Sequence, residues 1–245
     1  MNSFKIKSIL AILYANRIAK RIYEWAYQPE ITQEKVLKKL ISDAKFTAFG
    51  KDHDFLKIRN YADFKKKVPI RDYEGLKSYI DRVVAGEPNV LWKGKPLYFG
   101  KTSGTTSGTK YIPLTKESMP EHIKGARNAL LMYINRKKKA DFVNGKMIFL
   151  QGSPELDEKN GIKIGRLSGI SAHFVPRYLQ KNRLPSYTTN CIEDWETKVE
   201  KVIDETINED MRLIGGIPSW VQMYFERIVA RTGKKVGEVF PNFEV

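Results

Sequence analysis

Residues 102–110 read TSGTTSGTK, with the apolar segments LYF at 97–99 before them and YIPL at 111–114 after them. The two apolar segments predict short strands, and the glycine and hydroxyl residues between them predict a loop. Glycines allow a tight turn in which several backbone N–H groups point inward, and hydroxyl groups add further donors. A concave set of donors followed by a lysine suits a polyphosphate. A polar loop without a ligand is the alternative that composition alone leaves open.

The spacing of the glycines separates this loop from the Walker A motif. Gly104 and Gly108 are four residues apart, whereas Walker A needs five and then an immediate Gly-Lys pair. In this chain Thr109 stands between Gly108 and Lys110. The loop therefore predicts phosphate binding of another kind.

Strand and helix patterns alternate on the carboxyl side of the loop. Ser118-Met-Pro-Glu121 is a capping-box pattern with proline in the first turn, which predicts a helix over 118–137. The later patterns predict a strand at 147–150, a polar loop at 151–165, a helix at 193–208, a strand at 211–214 and a helix from Pro218. Alternating strands and helices are typical of an α/β sheet covered by helices.

Helical spacing dominates the amino-terminal side. Apolar residues predict helices over 3–27, 32–47 and 71–84, and the glycines and prolines of 86–96 then interrupt the helical pattern. The predicted fold class is therefore α/β, with a helical amino-terminal segment followed by a helix-covered sheet. Residues 1–90 are expected to be mainly helical, and residues 91–245 to be α/β with the phosphate loop at 102–110.

Composition limits the class of protein. The chain has 245 residues, of which 42% are hydrophobic and 29% charged, a balance typical of a globular protein. Its longest apolar run, Ile9–Ala15, is too short to span a bilayer. The single cysteine, Cys191, excludes an internal disulfide and is typical of a reducing compartment. We therefore expect a cytoplasmic protein with no membrane partner.

The charge balance is strongly basic. The chain has 43 Lys and Arg against 28 Asp and Glu, for a net charge of +15, which favours anionic partners. Its densest clusters, 65–67 and 136–139, stand at the ends of predicted helices, where cations complement the helix dipole. The sequence shows no basic stripe with interleaved aromatic residues. We therefore expect no specific nucleic-acid partner, and a basic binding module that does no chemistry is kept as an alternative.

The histidines and the cysteine do not predict a metal site. His53, His122, His173 and Cys191 show no metal-ligand spacing with one another. We expect His53 to lie in a solvated loop and His122 on the surface of a helix. Cys191 has no activating neighbour in the sequence and is expected to be inert.

Three segments, taken in order, resemble one family. Residues 102–110 with YIP at 111–113 resemble the first motif of adenylate-forming enzymes, in the version of the auxin-responsive acyl-acid amido synthetases and their bacterial members. LIGGIPSW at 213–220 and KVGEVFPNF at 235–243 resemble the segments that in this family lead toward the acyl-binding pocket and the next sheet strand. The resemblance implies part of the large domain of an adenylate-forming enzyme, from a bacterial-type member.

The resemblance also implies a two-step ligase reaction that uses ATP and Mg²⁺. A carboxylic acid attacks the α-phosphate of ATP, pyrophosphate leaves, and the amine of an amino acid then attacks the acyl carbon. No catalytic side chain is assigned, and the phosphate-binding residues implied are Thr102, Ser103, Gly104, Thr105, Thr106, Ser107, Gly108 and Lys110. An adenylating ligase that passes the acyl group to coenzyme A is the nearest alternative.

The acyl substrate is expected at two helices. Arg127 falls beside the apolar stripe of the 118–137 helix, and the family places an arginine of the corresponding helix against the acyl carboxylate. A structural ion pair and a side chain that reaches solvent are the alternatives. Ile217, Trp220 and Tyr224 are expected to line the acyl pocket, with core packing as the alternative.

The resemblance covers only the first part of the family's pattern. Members are longer than this chain, and their adenine-binding motif, ribose-binding aspartate and carboxy-terminal domain have no counterpart in it. We therefore expect an amino-terminal fragment that is inactive on its own. A strand is expected to begin at 243–245, and its unpaired edge would favour self-association.

Overall fold

The structure, a computed structural model, describes residues 3–102 and 109–244, apart from the side chains of residues 3–5 and Tyr178. Its contacts separate the chain into two compact units. The parallel-sheet unit comprises Met1–Ala19, Gly125–Glu155 and Arg166–Val245, and the mixed-sheet unit comprises Lys20–Lys124 and Leu156–Gly165.

Five helices precede the first strand. They are α1 Ser3–Ala26, α2 Pro29–Ala44, α3 Ala48–Asp52, α4 Tyr61–Lys67 and α5 Tyr73–Val84, with a 3₁₀ turn at Phe55–Lys57. Thr47, Asn60 and Asp72 each cap one of these helices by accepting a hydrogen bond from the backbone N–H three residues further on. The predicted helices 3–27, 32–47 and 71–84 correspond to α1, α2 and α5, with small shifts at their ends.

Four strands form the sheet of the mixed-sheet unit. They are β1 Tyr98–Lys101, β2 Tyr111–Leu114, β4 Asp157–Lys159 and β5 Ile162–Gly165, in the spatial order β2-β1-β5-β4. β1 runs antiparallel to β2 and parallel to β5, so that Phe99 lies opposite both Pro113 and Ile164. Phe99 is fully buried and packs with Val83 of α5 and with Ile164. Apolar packing thus anchors the strand that leads into the 102–110 loop.

The polar loop predicted at 151–165 is wrong in its second half, where β4 and β5 form a hairpin. Asn160 and Gly161 have φ angles of 51° and 76°, the left-handed conformation that a two-residue hairpin turn requires. Ile162 and Ile164 alternate with Lys163 and are buried. An Asn-Gly pair followed by this alternation is a recognised hairpin signal that the sequence analysis overlooked.

Three strands form the sheet of the parallel-sheet unit. They are β3 Lys146–Leu150, β6 Arg183–Leu184 and β7 Met211–Gly216, all parallel, in the spatial order β6-β3-β7. Ile148 lies opposite Leu184 and Ile214. One face of this sheet packs against α10 Trp195–Thr206 and α11 Pro218–Thr232, with Ile203 and Ile228 fully buried in the core between them. The remaining helices are α6 Met119–Lys137, α7 Leu167–Ala172, α8 Arg177–Gln180, α9 Tyr187–Asn190 and α12 Val236–Val239, with a 3₁₀ turn at Asp141–Asn144.

The predicted α/β class is confirmed, but the strands of the described residues form two sheets instead of one. The capping box predicted at Ser118 is wrong, because the Ser118 hydroxyl accepts a hydrogen bond from the Thr115 N–H at 2.9 Å and donates one to the Thr115 carbonyl. The strand expected from residue 243 does not form in the described Phe243 and Glu244, although the Glu244 N–H donates to the Arg212 carbonyl of β7 at 2.9 Å.

Within residues 3–102 and 109–244, no helix combines the length and apolarity needed to cross a bilayer.

Candidate functional site

The predicted phosphate loop leaves the mixed sheet at the end of the β1–β2 hairpin. Lys101 lies opposite Tyr111 as the last strand pair, and the Thr102 N–H donates to the Lys110 carbonyl at 3.3 Å. Thr102 and Lys110 therefore form the neck of the loop. The other predicted phosphate ligands, Ser103, Gly104, Thr105, Thr106, Ser107 and Gly108, lie outside the described residues, and their role stays a prediction.

Lysines and tyrosines surround this neck. The Lys110 ammonium lies 5.2 Å from the centroid of the Tyr73 ring, and the Tyr73 hydroxyl accepts a hydrogen bond from the Tyr111 N–H at 3.0 Å. The Lys159 ammonium lies 5.3 Å from the centroid of the Tyr111 ring, and Lys101 forms an ion pair with Asp157. Cation–π contacts hold the two ammonium groups without neutralising them. The neck thus carries positive charge beside the loop, as a phosphate site requires.

Arg127 lies on the exposed face of α6, in the parallel-sheet unit. Its Nη2 donates to Asn128 Oδ1 at 3.0 Å, and its guanidinium carbon lies 5.9 Å from the centroid of the Tyr14 ring. Among the described residues Arg127 forms no ion pair, so this geometry favours the alternative of a side chain that reaches solvent. The contact with an acyl carboxylate stays a prediction.

Two of the three residues expected in an acyl pocket pack into the core instead. Trp220 stacks on Trp195, with ring centroids 4.6 Å apart and an interplanar angle of 16°. Tyr224 is fully buried, and a 2.7 Å hydrogen bond joins its hydroxyl to Thr206 Oγ1. Burial raises the pKa of Tyr224 well above its usual range. The core-packing alternative therefore describes both side chains, whereas Ile217 is exposed at the start of α11.

A second face of α11, different from the one that carries Trp220 and Tyr224, borders an open, mainly apolar cleft. Pro218, Val221 and Phe225 line it from the helix, and Ile214, Gly215 and Gly216 line it from the end of β7. The helix residues follow the spacing i, i+3, i+7, which puts them on one face and Trp220 and Tyr224 on another. The carboxyl end of a parallel strand is where open α/β sheets bind ligands. The cleft therefore lies on a different face of α11 from Trp220 and Tyr224, and the acyl-binding role of this helix stays a prediction.

The histidine predictions have mixed outcomes. His53 is buried, its Nδ1 lies 2.8 Å from the Phe49 carbonyl oxygen, and its ring stacks on the Phe49 ring, so the expectation of a solvated loop is wrong. His122 is exposed on α6, as expected.

Burial raises the pKa of the Cys191 thiol, which disfavours a reactive thiolate. No group of three or more His, Cys, Asp or Glu in the described part of the chain is arranged to hold a metal ion.

A Gly-Ser-Thr segment between two paired strands, together with an apolar cleft at the end of a parallel strand, defines a class of helix-covered α/β protein with two candidate ligand sites. Comparison with known proteins makes this class specific. The model of the GH3 family N-terminal domain matches residues 18–190, which is more than half of the chain. The chain therefore belongs to the GH3 family.

Several relatives carry amido synthetase names. Indole-3-acetic acid-amido synthetase GH3.15 of Arabidopsis thaliana is 46% identical over 63 residues, which are 25% of this chain and 11% of that protein. Jasmonoyl--L-amino acid synthetase JAR4 of Nicotiana attenuata is 27% identical over 136 residues, which are 54% of this chain and 23% of that protein. These two relatives are plant proteins, and the comparisons do not support the narrower expectation of a bacterial-type member.

Solved structures support the fold. The structure of AtGH3.15 acyl acid amido synthetase in complex with 2,4-DB matches with a TM-score of 0.62 and 20% sequence identity, over 84% of this chain and 38% of that chain. At this identity the match demonstrates the fold alone. The chain spans less than half the length of the relatives that it matches.

Proposed function

We propose that this chain provides the phosphate-binding and acyl-binding part of an ATP-dependent acyl-acid amido synthetase. Such an enzyme joins a carboxylic acid to AMP with release of pyrophosphate, and then transfers the acyl group to the amine of an amino acid. Residues 1–245 then form part of one adenylating domain, mainly helical over 1–90 and α/β over 91–245.

One observation carries this proposal. In this chain of the GH3 family, the segment TSGTTSGTK connects β1 to β2. A backbone hydrogen bond joins Thr102 and Lys110 at its neck. The ammonium groups of Lys110 and Lys159 lie over tyrosine rings beside this neck. Hydroxyl and N–H donors at such a loop would bind the β- and γ-phosphates of ATP, and the neighbouring cations would attract them. The names of the two relatives, an indole-3-acetic acid-amido synthetase and a jasmonoyl--L-amino acid synthetase, support the same activity.

The acyl group fits the cleft beside α11 better than the residues first expected. The cleft offers Val221 and Phe225 as apolar contacts, and its polar side chains are Gln222 and Glu226, where Gln222 Nε2 donates to Glu226 Oε1 at 2.8 Å. Apolar walls with few polar groups are typical of sites for small organic acids. We therefore assign the acyl group to this face and not to Trp220 or Tyr224.

Mg²⁺ fits this site as a companion of ATP. Magnesium usually keeps several waters and is bound by substrate phosphates with one or two carboxylates, so a dedicated cage of protein ligands is not required. When bound, it would neutralise charge on the phosphates. The residues of this chain would then position the nucleotide through the loop donors.

The proposal is tested by replacing Ser103 and Thr105 together with alanine. In the longest natural form of the protein that contains these residues, acid-dependent exchange of pyrophosphate into ATP should lose at least about tenfold in kcat/KM for ATP, since each charge-assisted hydrogen bond contributes about 1.5–3 kcal/mol. Ser78→Ala, at an exposed serine of α5, is the matched control and should behave as wild type. Unchanged ATP kinetics in the double variant would contradict the phosphate assignment.

A further inference from the structure

Arg183 places a cation on the face of the parallel sheet that α10 and α11 do not cover. It is the first residue of β6 and lies opposite Met147 of β3. The next residue, Leu184, packs against the core between the sheet and α10 and α11. Because successive strand residues point to opposite faces, the Arg183 side chain lies on the other face, together with that of Phe149.

The Arg183 guanidinium lies over an aromatic ring. Its central carbon is 4.6 Å from the centroid of the Phe149 ring, and Nη2 donates a long hydrogen bond, 3.4 Å, to Gln151 Oε1. Burial lowers the pKa of Arg183, yet an arginine stays charged at neutral pH. This side chain is therefore a charged group that has lost part of its hydration.

No carboxylate neutralises this charge within the part of the chain that the structure describes. Arg212 and Arg227, by contrast, each pair with an Asp or Glu of the same unit. The residues outside the description, and those with undescribed side chains, include no Asp or Glu that could supply a partner. A partly buried cation without an anion is unfavourable unless a ligand provides the counter-charge.

The position of this cation is that of a ligand site. Gln151 directly follows β3, so the guanidinium extends toward the carboxyl edge of the parallel sheet. Gly215 of β7 lies opposite Phe149 on the other side, and a Cβ there would come within 3.4 Å of the Phe149 ring. A guanidinium that rests on an aromatic ring keeps its edge donors free for a bidentate contact with a carboxylate.

We propose that Arg183 binds the carboxylate of a small organic acid at this edge, with Phe149 supporting the guanidinium. That the acid is a substrate rests on the proposed function. Two sources share this chemistry, the free acyl acid and the free amino acid.

The proposal is tested by calorimetric titration of the chain with three probes: indole-3-acetate, its methyl ester, and alanine. Arg183→Met should weaken the binding of whichever acid the wild type binds, indole-3-acetate or alanine, by about tenfold or more, because a bidentate charge-assisted contact is lost. The affinity for the uncharged methyl ester should not change. Arg183→Lys should weaken binding of the acid less, since it keeps the charge but not the fork, and it replaces the Met variant if that variant fails to fold. Arg136→Met, at an exposed arginine of α6, is the matched control.

The outcomes separate the alternatives. A response to indole-3-acetate assigns Arg183 to the acyl acid, and a response to alanine assigns it to the amino acid. Equal loss for acid and ester, unchanged affinity with only a lower melting temperature, or no saturable binding of either acid by the wild type would each overturn the proposal. Acid-dependent pyrophosphate exchange separates it from the proposed function. Where indole-3-acetate is the acid that responds, exchange that is unchanged in Arg183→Met defeats only this inference. Arg183-dependent binding of either acid, without exchange in the wild type, defeats only the proposed function.

Discussion

The mixed sheet and the parallel sheet differ in how far apart in sequence their candidate site residues lie. In the mixed sheet, β1 and β2 are consecutive, and the 102–110 loop joins them directly. In the parallel sheet, Phe149, Arg183 and Gly215 come from three strands, because parallel neighbours need long crossover connections. A loop on a hairpin therefore appears in the sequence as one continuous motif, whereas a site on parallel strands appears as single residues far apart.

The two sheets also differ in how their strands are covered. β2 is an edge strand of the mixed sheet, and Ile112 in it is 42% exposed. The parallel sheet packs one face against α10 and α11, with Ile148 of β3 and Ile203 of α10 fully buried between them. Apolar burial is the main source of folding free energy, so the parallel-sheet unit should depend more strongly on single core side chains.

The largest expected effect tests this difference in covering. Ile203→Ala should lower the free energy of unfolding by about 2–5 kcal/mol, because it removes buried methyl groups and leaves a cavity. Ile112→Ala, on the exposed edge strand, should lower it by less than about 1 kcal/mol. Chemical denaturation of the two variants and the wild type measures both values. Equal losses would show that β2 depends on its side chains as much as the covered sheet does.

The second effect concerns the β4–β5 hairpin of the mixed sheet. Gly161 has a φ of 76°, and no atom lies within 4 Å of the position of a Cβ. Gly161→Ala should therefore destabilise the protein through backbone strain alone, by about 1–2 kcal/mol.

Gly125→Ala is the matched control for this hairpin. Gly125 stands within α6 with no atom near its Cβ position and with a helical backbone. Alanine there should raise the stability by about 0.5–1 kcal/mol, since glycine is unfavourable inside a helix. Thermal unfolding should show a lower melting temperature than wild type for Gly161→Ala and a higher one for Gly125→Ala. A Gly161→Ala variant as stable as wild type would mean that the hairpin turn does not need the left-handed conformation.

Local signals account for what the sequence predicted well. The strands on either side of the 102–110 segment and the longer helices each depend on residues close in sequence, through turn chemistry and helical periodicity. The Asn160-Gly161 hairpin was equally readable, because both its turn and its alternation are local.

The remaining errors have a different cause, which is contact between distant segments. Trp220 packs on Trp195, and His53 is buried against Phe49 and Tyr79, so the environment of each ring depends on tertiary packing. Arg183 carries no local signal at all, because its significance comes from Phe149 on a neighbouring strand and from the lack of a carboxylate beside it in the described part of the chain. Periodicity placed α11 correctly but could not tell which of its apolar faces meets the core.

The smallest expected effect compares two acidic residues, one directly before a strand of the parallel sheet and one in a strand of the mixed sheet. Asp210, directly before β7, accepts hydrogen bonds from Arg212 Nε at 2.8 Å and from Asn242 Nδ2 at 3.0 Å. The hydrogen bond from Arg212, followed by that from Asn242, lowers the pKa of Asp210 below its usual range. In the mixed sheet, Asp157 of β4 pairs with Lys101, and its side chain is 71% exposed against 43% for Asp210.

Asp210→Asn should lower the free energy of unfolding at neutral pH by less than about 1 kcal/mol, because the pair is partly screened by solvent. A carboxyl group whose pKa is lower in the folded state stabilises the fold above its unfolded pKa and loses that contribution as the pH falls through the folded pKa. The difference between Asp210→Asn and wild type should therefore shrink as the pH falls below about 4. Asp157→Asn should produce a smaller difference, since its carboxylate keeps more of its hydration. Chemical denaturation at a series of pH values measures both variants, and a difference for Asp210→Asn that persists in acid would show that its packing, and not its charge, stabilises the start of β7.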